Sequence, residues 1–408
     1  MHRAVPAESN RGDPITASLI LDLLLLLALV GYAVYGYRVG LVVSLAGILG
    51  IAVGAIAAFI AIPLVAGWVN DNVWRIPAVL ISMLVLLALG QVLGLAVGRV
   101  IRRGLYRTPL KIVDRLLGSA LDLVVAALLM SMLAFSINAL GVPFLSQAIG
   151  SSRVISTVNA LTPDPAEAWL AQLRSLAVED GLPVIVDALA PHSAPPAPKV
   201  VPDSKALAAA ANSVVKITGN AFQCGQNQSG SGFVVSPGRV VTNAHVVAGV
   251  TAPVVEPRGG GAFAGRVVYF DPAHDLAVIS VKGLPTASIP LGSNLAPGAA
   301  AAFDGYPLGG PFQTGAATVQ SVPTVEMRDI YGDNPQPVEL YYLSATVQEG
   351  NSGGPLLNEA GQITGVVFAK STTSASVGYA LTMKELSPVA SRAAALSTPV
   401  GSGHCIKR

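Results

Sequence analysis

Charged side chains are scarce: Asp, Glu, Lys and Arg make up only 12% of the 408 residues, about half the share of an ordinary soluble protein. That shortage argues against a chain that is soluble throughout, and a hydrophobic content of 52% excludes a disordered one. Cysteine is nearly missing. Two residues cannot staple a disulfide-dense scaffold or build a Cys₄ zinc site. Neither sign of charge dominates. A net charge of +2 leaves no basic surplus for a nucleic-acid partner. No metal or cofactor is expected from the residues present.

What is present is unevenly divided. Residues 1–150 are rich in Leu and Val and carry ten basic and six acidic residues. The remainder is richer in Gly, Pro, Thr and Asn, with short β-branched runs. A bilayer-spanning helix needs about 20 mostly apolar residues. Residues 15–34, 41–62, 78–98 and 117–140 meet this requirement, and only the first and last hold a charge, Asp22 and Asp122. The first run is not a cleaved signal: a second apolar run follows closely, with no small-residue cleavage site and polar sequence between them. Lys and Arg mark the cytoplasmic loops. Arg38, Arg99, Arg102, Arg103, Arg107, Lys111 and Arg115 lie on one side, against Arg3, Arg11, Arg75 and Arg153 on the other. With four spans, both termini are then extracytoplasmic. Gly50 and Gly54 in the second span, and Gly90, Gly94 and Gly98 in the third, recur every four residues. Such spacing lets helices approach closely in lipid, and a helix–helix seam within the chain is the expected use. Residues 15–140 resemble the colicin V production family of four-span membrane proteins, which implies a bacterial inner-membrane location.

Residues 141–203 lack a long apolar run. Residues 164–178 predict a short helix, with Asp164 at its cap and Pro165 in its first turn. The tract APHSAPPAPKVVP follows, and its prolines favour an extended, semi-rigid spacer. The expected division is therefore 1–140 (four-helix transmembrane domain), 141–203 (connector) and 204–408 (C-terminal domain).

From residue 204 onward, short strands separated by turns predict an all-β barrel or sandwich, long enough for two barrels. Three stretches carry chemistry: VVTNAHVV with His245, DPAHDLAV with Asp275, and EGNSGGPL with Ser352. Each alone is weak, since a histidine after a strand or an acid in a turn is commonplace. Together they supply what nucleophilic catalysis needs. A serine hydroxyl is activated by an imidazole base. A carboxylate then fixes the tautomer and stabilises the imidazolium. The order His, Asp, Ser is that of one all-β protease fold, and it differs from the orders in α/β-hydrolases and subtilisins. Gly350, Gly353 and Gly354 around the serine permit a close backbone approach.

TNAHVV, DLAVI and GNSGGPL resemble the three motifs of chymotrypsin-like serine proteases, in their HtrA branch, over residues 205–395. The resemblance implies a chymotrypsin-like double β-barrel behind an all-α membrane domain. It implies His245 as base, Asp275 as its orienter, Ser352 as nucleophile, and an oxyanion hole from the N–H groups of Gly350 and Ser352. Asp271 is the alternative acid. The specificity pocket would involve Thr346, Phe368 and Lys370, and with no acid at Thr346 a preference for Lys or Arg is not expected. The residues after Ser352 are too few for a PDZ domain of the HtrA kind. Cys224 and Cys405 both fall on the side assigned as extracytoplasmic, where a disulfide is favoured. Four spans, a Pro-rich stalk and one cysteine pair together resemble mycobacterial membrane-anchored serine proteases of acid resistance. That likeness implies envelope proteins as substrates, the lipid bilayer as the other partner, and a role in acid stress. The alternatives are a non-catalytic binding module on a protease fold and a transporter accessory protein, the latter resting on Asp22 and Asp122.

Overall fold

A computed structural model describes residues 14–68, 72–105, 110–138, 142–163, 172, 195–198, 204–221, 224, 226–371 and 374–406. Four long apolar helices come first: α1 (Pro14–Val39), α2 (Leu41–Trp68), α3 (Asn72–Leu105) and α4 (Lys111–Asn138). Each contains a stretch long and apolar enough to cross a bilayer, respectively Ser18–Val39, Leu41–Val65, Pro77–Gly104 and Lys111–Ala134. Many of their Leu, Ile and Val side chains are exposed, as suits surfaces solvated by lipid tails. The fourth span starts earlier than its hydropathy suggests and takes in Lys111, Asp114 and Arg115. Asp114 is the reason. Its carboxylate accepts from Arg102 Nε of α3 at 3.1 Å and from the Val42 N–H at the start of α2 at 3.0 Å. A second Arg102 nitrogen donates to the Arg38 carbonyl. The charges at this end of the helices are thus tied together.

The glycines form the seam expected of them. A β-carbon on Gly50 would strike the carbonyl oxygen of Gly90, and one on Gly94 the carbonyl oxygen of Ala46. One on Gly98 would come within 2.8 Å of Val43 Cα. α2 and α3 therefore touch backbone to backbone. Gly36 and Gly118 do the same for α1 and α4. Asp122 is held inside this bundle by a 2.9 Å hydrogen bond from Ser44 Oγ, which makes it a packing residue of α4 against α2.

After α4, α5 (Pro143–Gly150) and α6 (Arg153–Leu161) belong to the same compact unit as the strands. The Gly150 carbonyl accepts from Gly261 N–H at 3.2 Å, and Gly150 packs on Ala262. The helix expected over 164–178 lies outside the described residues, apart from Gln172. Of the Pro-rich tract, residues 195–198 are described, and the Pro195 carbonyl accepts from Ser344 Oγ at 3.0 Å. A short helix, α7 (Lys205–Ala211), then leads into the sheets, capped by Ser204.

The first barrel contains β1 (Val214–Ala221), β2 (Gln226–Ser236), β3 (Arg239–Thr242), β4 (Val254–Pro257), β5 (Phe263–Asp271) and β6 (Leu276–Val281). It closes in the order β1-β2-β3-β6-β5-β4, with α8 (Ala244–Val247) as a single turn after β3. The second contains β7 (Ala300–Gly305), β8 (Gln313–Ser321), β9 (Thr324–Met327), β10 (Gln336–Ser344), β11 (Pro355–Leu357), β12 (Ile363–Lys370) and β13 (Val377–Thr382). Its order is β13-β12-β11-β7-β8-β10-β9. Pairing of β10 with β13 closes six strands and leaves β9 as a flap on β10. α9 (Met383–Ala390) follows.

Side chains alternate across a strand, and here both faces are buried. Val240 and Ile279 fill the first barrel, while their neighbours Val241 and Val278 face outward. Those outward residues meet Leu340, Tyr342, Val366 and Phe368 of the second barrel in a shared core. This is why RVVT and LAVISV read as continuous apolar runs rather than alternating ones. The cysteine pair is joined. Cys224 and Cys405, 181 residues apart, form a disulfide that fastens the C-terminal segment to the first barrel. The Gly249 N–H to Ser402 carbonyl bond lies beside it.

Two outcomes test this packing. Gly94→Leu lowers the thermal midpoint of the detergent-solubilised protein, whereas Gly31→Ala, which meets nothing within 4 Å, does not. Replacing both cysteines by serine lowers unfolding free energy by about 2–4 kcal/mol in denaturant titrations.

Candidate active site

His245 stands on α8, the turn that follows β3. Asn243 begins the turn, and its side-chain amide donates to the Asp275 carbonyl at 2.7 Å. Asp275 comes just before β6 with a left-handed φ of 53°, a conformation that Asp tolerates better than most residues. The twist aims both carboxylate oxygens at one residue. Oδ1 accepts from the His245 backbone N–H at 2.9 Å, and Oδ2 pairs with the ring Nδ1 at 2.7 Å. With the proton on Nδ1 donated to the carboxylate, the Nε2 lone pair is the ring's free acceptor. Both side chains are buried, as is Ser352.

The alternative acid is occupied elsewhere. Asp271 accepts from the Tyr269 hydroxyl at 3.0 Å and pairs with His274 Nδ1 at 2.8 Å. Burial pushes its carboxyl up, but hydrogen bonds from His274 and Tyr269 outweigh this and hold it below the usual range. Of the two acids in DPAHD, Asp275 is the one on His245.

The serine loop depends on glycine. Gly350 and Gly353 have φ of 88° and 83°, where a side chain is strained. A β-carbon on Gly350 would strike the Tyr306 carbonyl, and one on Gly353 the Ser231 carbonyl. The Glu349 carbonyl accepts from Leu308 N–H at 2.6 Å. Because the C=O and N–H of one peptide point in opposite directions, Gly350 N–H is turned away from Leu308. Among the described residues, neither Gly350 N–H nor Ser352 N–H donates to a protein acceptor. The loop lies against the histidine turn: a β-carbon on Gly230 would meet Val246 at 2.6 Å and the Ser352 carbonyl at 3.1 Å. Ser352 Oγ donates to the Phe368 carbonyl at 3.2 Å rather than to His245. Hydrogen bonds of this kind are commonly loose until substrate is bound.

The three pocket candidates separate. Thr346 is exposed beyond β10. The Phe368 ring belongs to the core between the barrels, so its carbonyl is the part that faces the serine. Lys370 Nζ pairs with Glu349 Oε1 at 3.3 Å, linking the end of β12 to the residue before Gly350.

Comparison with known proteins identifies the family. The trypsin-like peptidase domain family matches residues 230–366, and the colicin V production protein family matches residues 21–163. Serine protease Rv3671c of Mycobacterium tuberculosis is 33% identical over 401 residues, covering 96% of this chain and all of the relative. The chain belongs to the trypsin-like serine protease family. Its HtrA-like relatives match in part: the putative serine protease HhoA of Synechocystis is 33% identical over 41% of this chain and 44% of its own. The crystal structure of the active form of the Rv3671c protease is 35% identical, with a TM-score of 0.49, over 55% of this chain and all of that one.

Some parts of this serine protease's site carried no motif signal. Ser231 stands inside GSGFVVS, which reads simply as a strand. Asp304 is a lone acid in a run of small residues. It is buried on β7, and its carbonyl lies against Gly354 of the serine loop. Burial pushes its carboxyl up to about 6, against the opposing effects of the Thr314 hydroxyl and the Arg258 guanidinium. A carboxyl raised in the folded state binds its proton there before the unfolded chain does. It therefore costs stability above pH 6, and the cost fades as pH falls toward 4. Asp304→Asn raises unfolding free energy at pH 8, by up to about 3 kcal/mol for a shift of this size. The gain shrinks at pH 4, as paired denaturant titrations will read.

Proposed function

We propose that this serine protease is a membrane-anchored endopeptidase acting outside the cytoplasm through His245, Asp275 and Ser352. The observation that carries the triad is the two-point grip of Asp275 on His245, beside a serine loop with two unengaged N–H groups. His245 Nε2 takes the Ser352 Oγ proton as the oxygen attacks the scissile carbonyl carbon. The carbonyl π electrons move to oxygen, which the N–H groups of Gly350 and Ser352 receive. Such donors are each worth about 3–4 kcal/mol toward the transition state. Collapse breaks the C–N bond, the leaving amine takes the proton from His245, and an acyl-enzyme remains on Ser352. Water, deprotonated by His245, attacks the ester; collapse then breaks the acyl C–O bond, His245 returns the proton to Ser352 Oγ, and the acid leaves.

The Lys and Arg distribution and the disulfide both support an extracytoplasmic catalytic domain on the inner membrane of a bacterium. Proteins of the envelope are then the accessible substrates, and the bilayer is the anchor. The likeness to the mycobacterial proteases supports a role in acid stress. Thr346 and Lys370 are the candidates for the pocket wall, and the acid beside Gly350, Glu349, is already paired with Lys370, which supports no preference for a basic side chain.

A fluorophosphonate labels the wild-type protein and fails on Ser352→Ala. Turnover of a peptide substrate collapses in Ser352→Ala and His245→Ala and falls about 10⁴-fold in Asp275→Asn. Wild-type turnover in either alanine variant would overturn the triad. Alkaline phosphatase fused after residue 204 is active, and fused within residues 106–109 it is inactive. The reverse pattern would place the domain in the cytosol.

A further inference from the structure

Ser231 sits on β2 of the first barrel, fully buried, and all its polar groups are used. Its N–H donates to the Ser352 carbonyl at 2.8 Å, and its Oγ–H donates to the Gly350 carbonyl at 2.6 Å. The same Oγ accepts from Tyr306 N–H at 2.9 Å, and its own carbonyl accepts from Thr242 Oγ1 at 2.7 Å. One residue therefore touches three segments. Thr242 lies three residues before the base. Gly350 and Ser352 supply the proposed oxyanion donors. Tyr306 follows β7, and its carbonyl blocks any side chain on Gly350. The hydroxyl donates and accepts at once, so neither buried backbone group opposite it is left unpaired. Leaving such a group unsatisfied in a dry interior is costly.

We propose that Ser231 is a positioning residue for catalysis, its hydroxyl holding the Gly350 carbonyl, and with it the Gly350–Asn351 peptide that lies between the two oxyanion donors, so that the N–H groups of Gly350 and Ser352 stay aimed at one point. This rests on the triad reading above and extends it to a residue that touches no substrate. The hydroxyl acts where charge develops, and not where the substrate first binds. Its loss therefore lowers kcat and leaves KM alone.

The test uses the full-length protein in detergent, with a chromogenic peptide. In Ser231→Ala, kcat falls about 10- to 100-fold, less than the ~10²–10³ of losing an oxyanion donor outright. KM and the pH profile of kcat/KM stay as in the wild type. Affinity for a peptide aldehyde, whose hemiacetal oxygen mimics the oxyanion, falls in step with kcat/KM. Ser231→Thr, which keeps the hydroxyl, recovers most of the rate. If Ser231→Ala does not fold, as judged by its melting transition, Thr242→Val provides the second measurement. It removes the hydroxyl that holds the Ser231 carbonyl, and a smaller kcat loss at constant KM is expected. The proposal is overturned by wild-type kcat in a folded Ser231→Ala protein, by equal losses through KM, or by wild-type kcat in Thr242→Val where that variant stands in. Ser352→Ala runs in parallel. Should it keep turnover, the triad reading fails. Should it be dead while Ser231→Ala is fully active, only the role of Ser231 fails.

Discussion

An apolar contact joins the two barrels, and on it rests the placing of the His245 turn of one beside the Ser352 loop of the other. Val241, Leu276 and Val278 from the first barrel pack with Leu340, Tyr342, Val366 and Phe368 from the second in one cluster. The same strands turn their alternate side chains into the separate interiors, so neither barrel can shift without opening two cores. Close packing of this kind does not deform gradually. His245 hangs from the end of β3 and Ser352 from the turn before β11, and both strands border this contact or the sheet behind it. Residues far from any substrate thus set the register of the site.

On that apolar base the polar geometry is fixed by backbone more than by side chains. The left-handed Asp275 turns its carboxylate onto the backbone N–H and the ring Nδ1 of His245. Gly350 and Gly353 bring the serine loop against Tyr306 and Ser231, closer than any residue with a β-carbon could come. The membrane half follows the same rule in a different solvent. Gly50, Gly90 and Gly94 let α2 and α3 meet at their backbones, where lipid supplies no hydrophobic drive toward association.

Legibility in the sequence followed chemistry. The four apolar runs, the glycine seam and the two barrels were visible because hydropathy, four-residue spacing and turn-separated strands are local signals. His245, Asp275 and Ser352 stood out because each lies in a stretch whose neighbours are constrained as well. The helix limits were less visible. Asp114 enters α4 because its partner Arg102 is on α3, and pairing across helices leaves no mark in a hydropathy count. Ser231 and Asp304 were hidden for a related reason. Their surroundings come from distant strands, and a serine between two glycines or an acid among alanines has no local pattern. The Phe368 side chain, expected at the pocket, turns into the shared core and leaves its carbonyl at the site. Strand register decided that orientation, and a one-residue slip reverses it.

The placement of α5 and α6 bears on what happens when the chain is nicked. α5 follows the last long apolar helix, yet it lies against β4 and β5 of the first barrel, with the Gly150 carbonyl accepting from Gly261 N–H. The chain rejoins that same folded body at Pro195, on Ser344. A break in the peptide between these two attachments would not by itself set the hydrolase adrift. The severed pieces would stay clasped by non-covalent contacts, and shedding would require peeling α5 from the barrel.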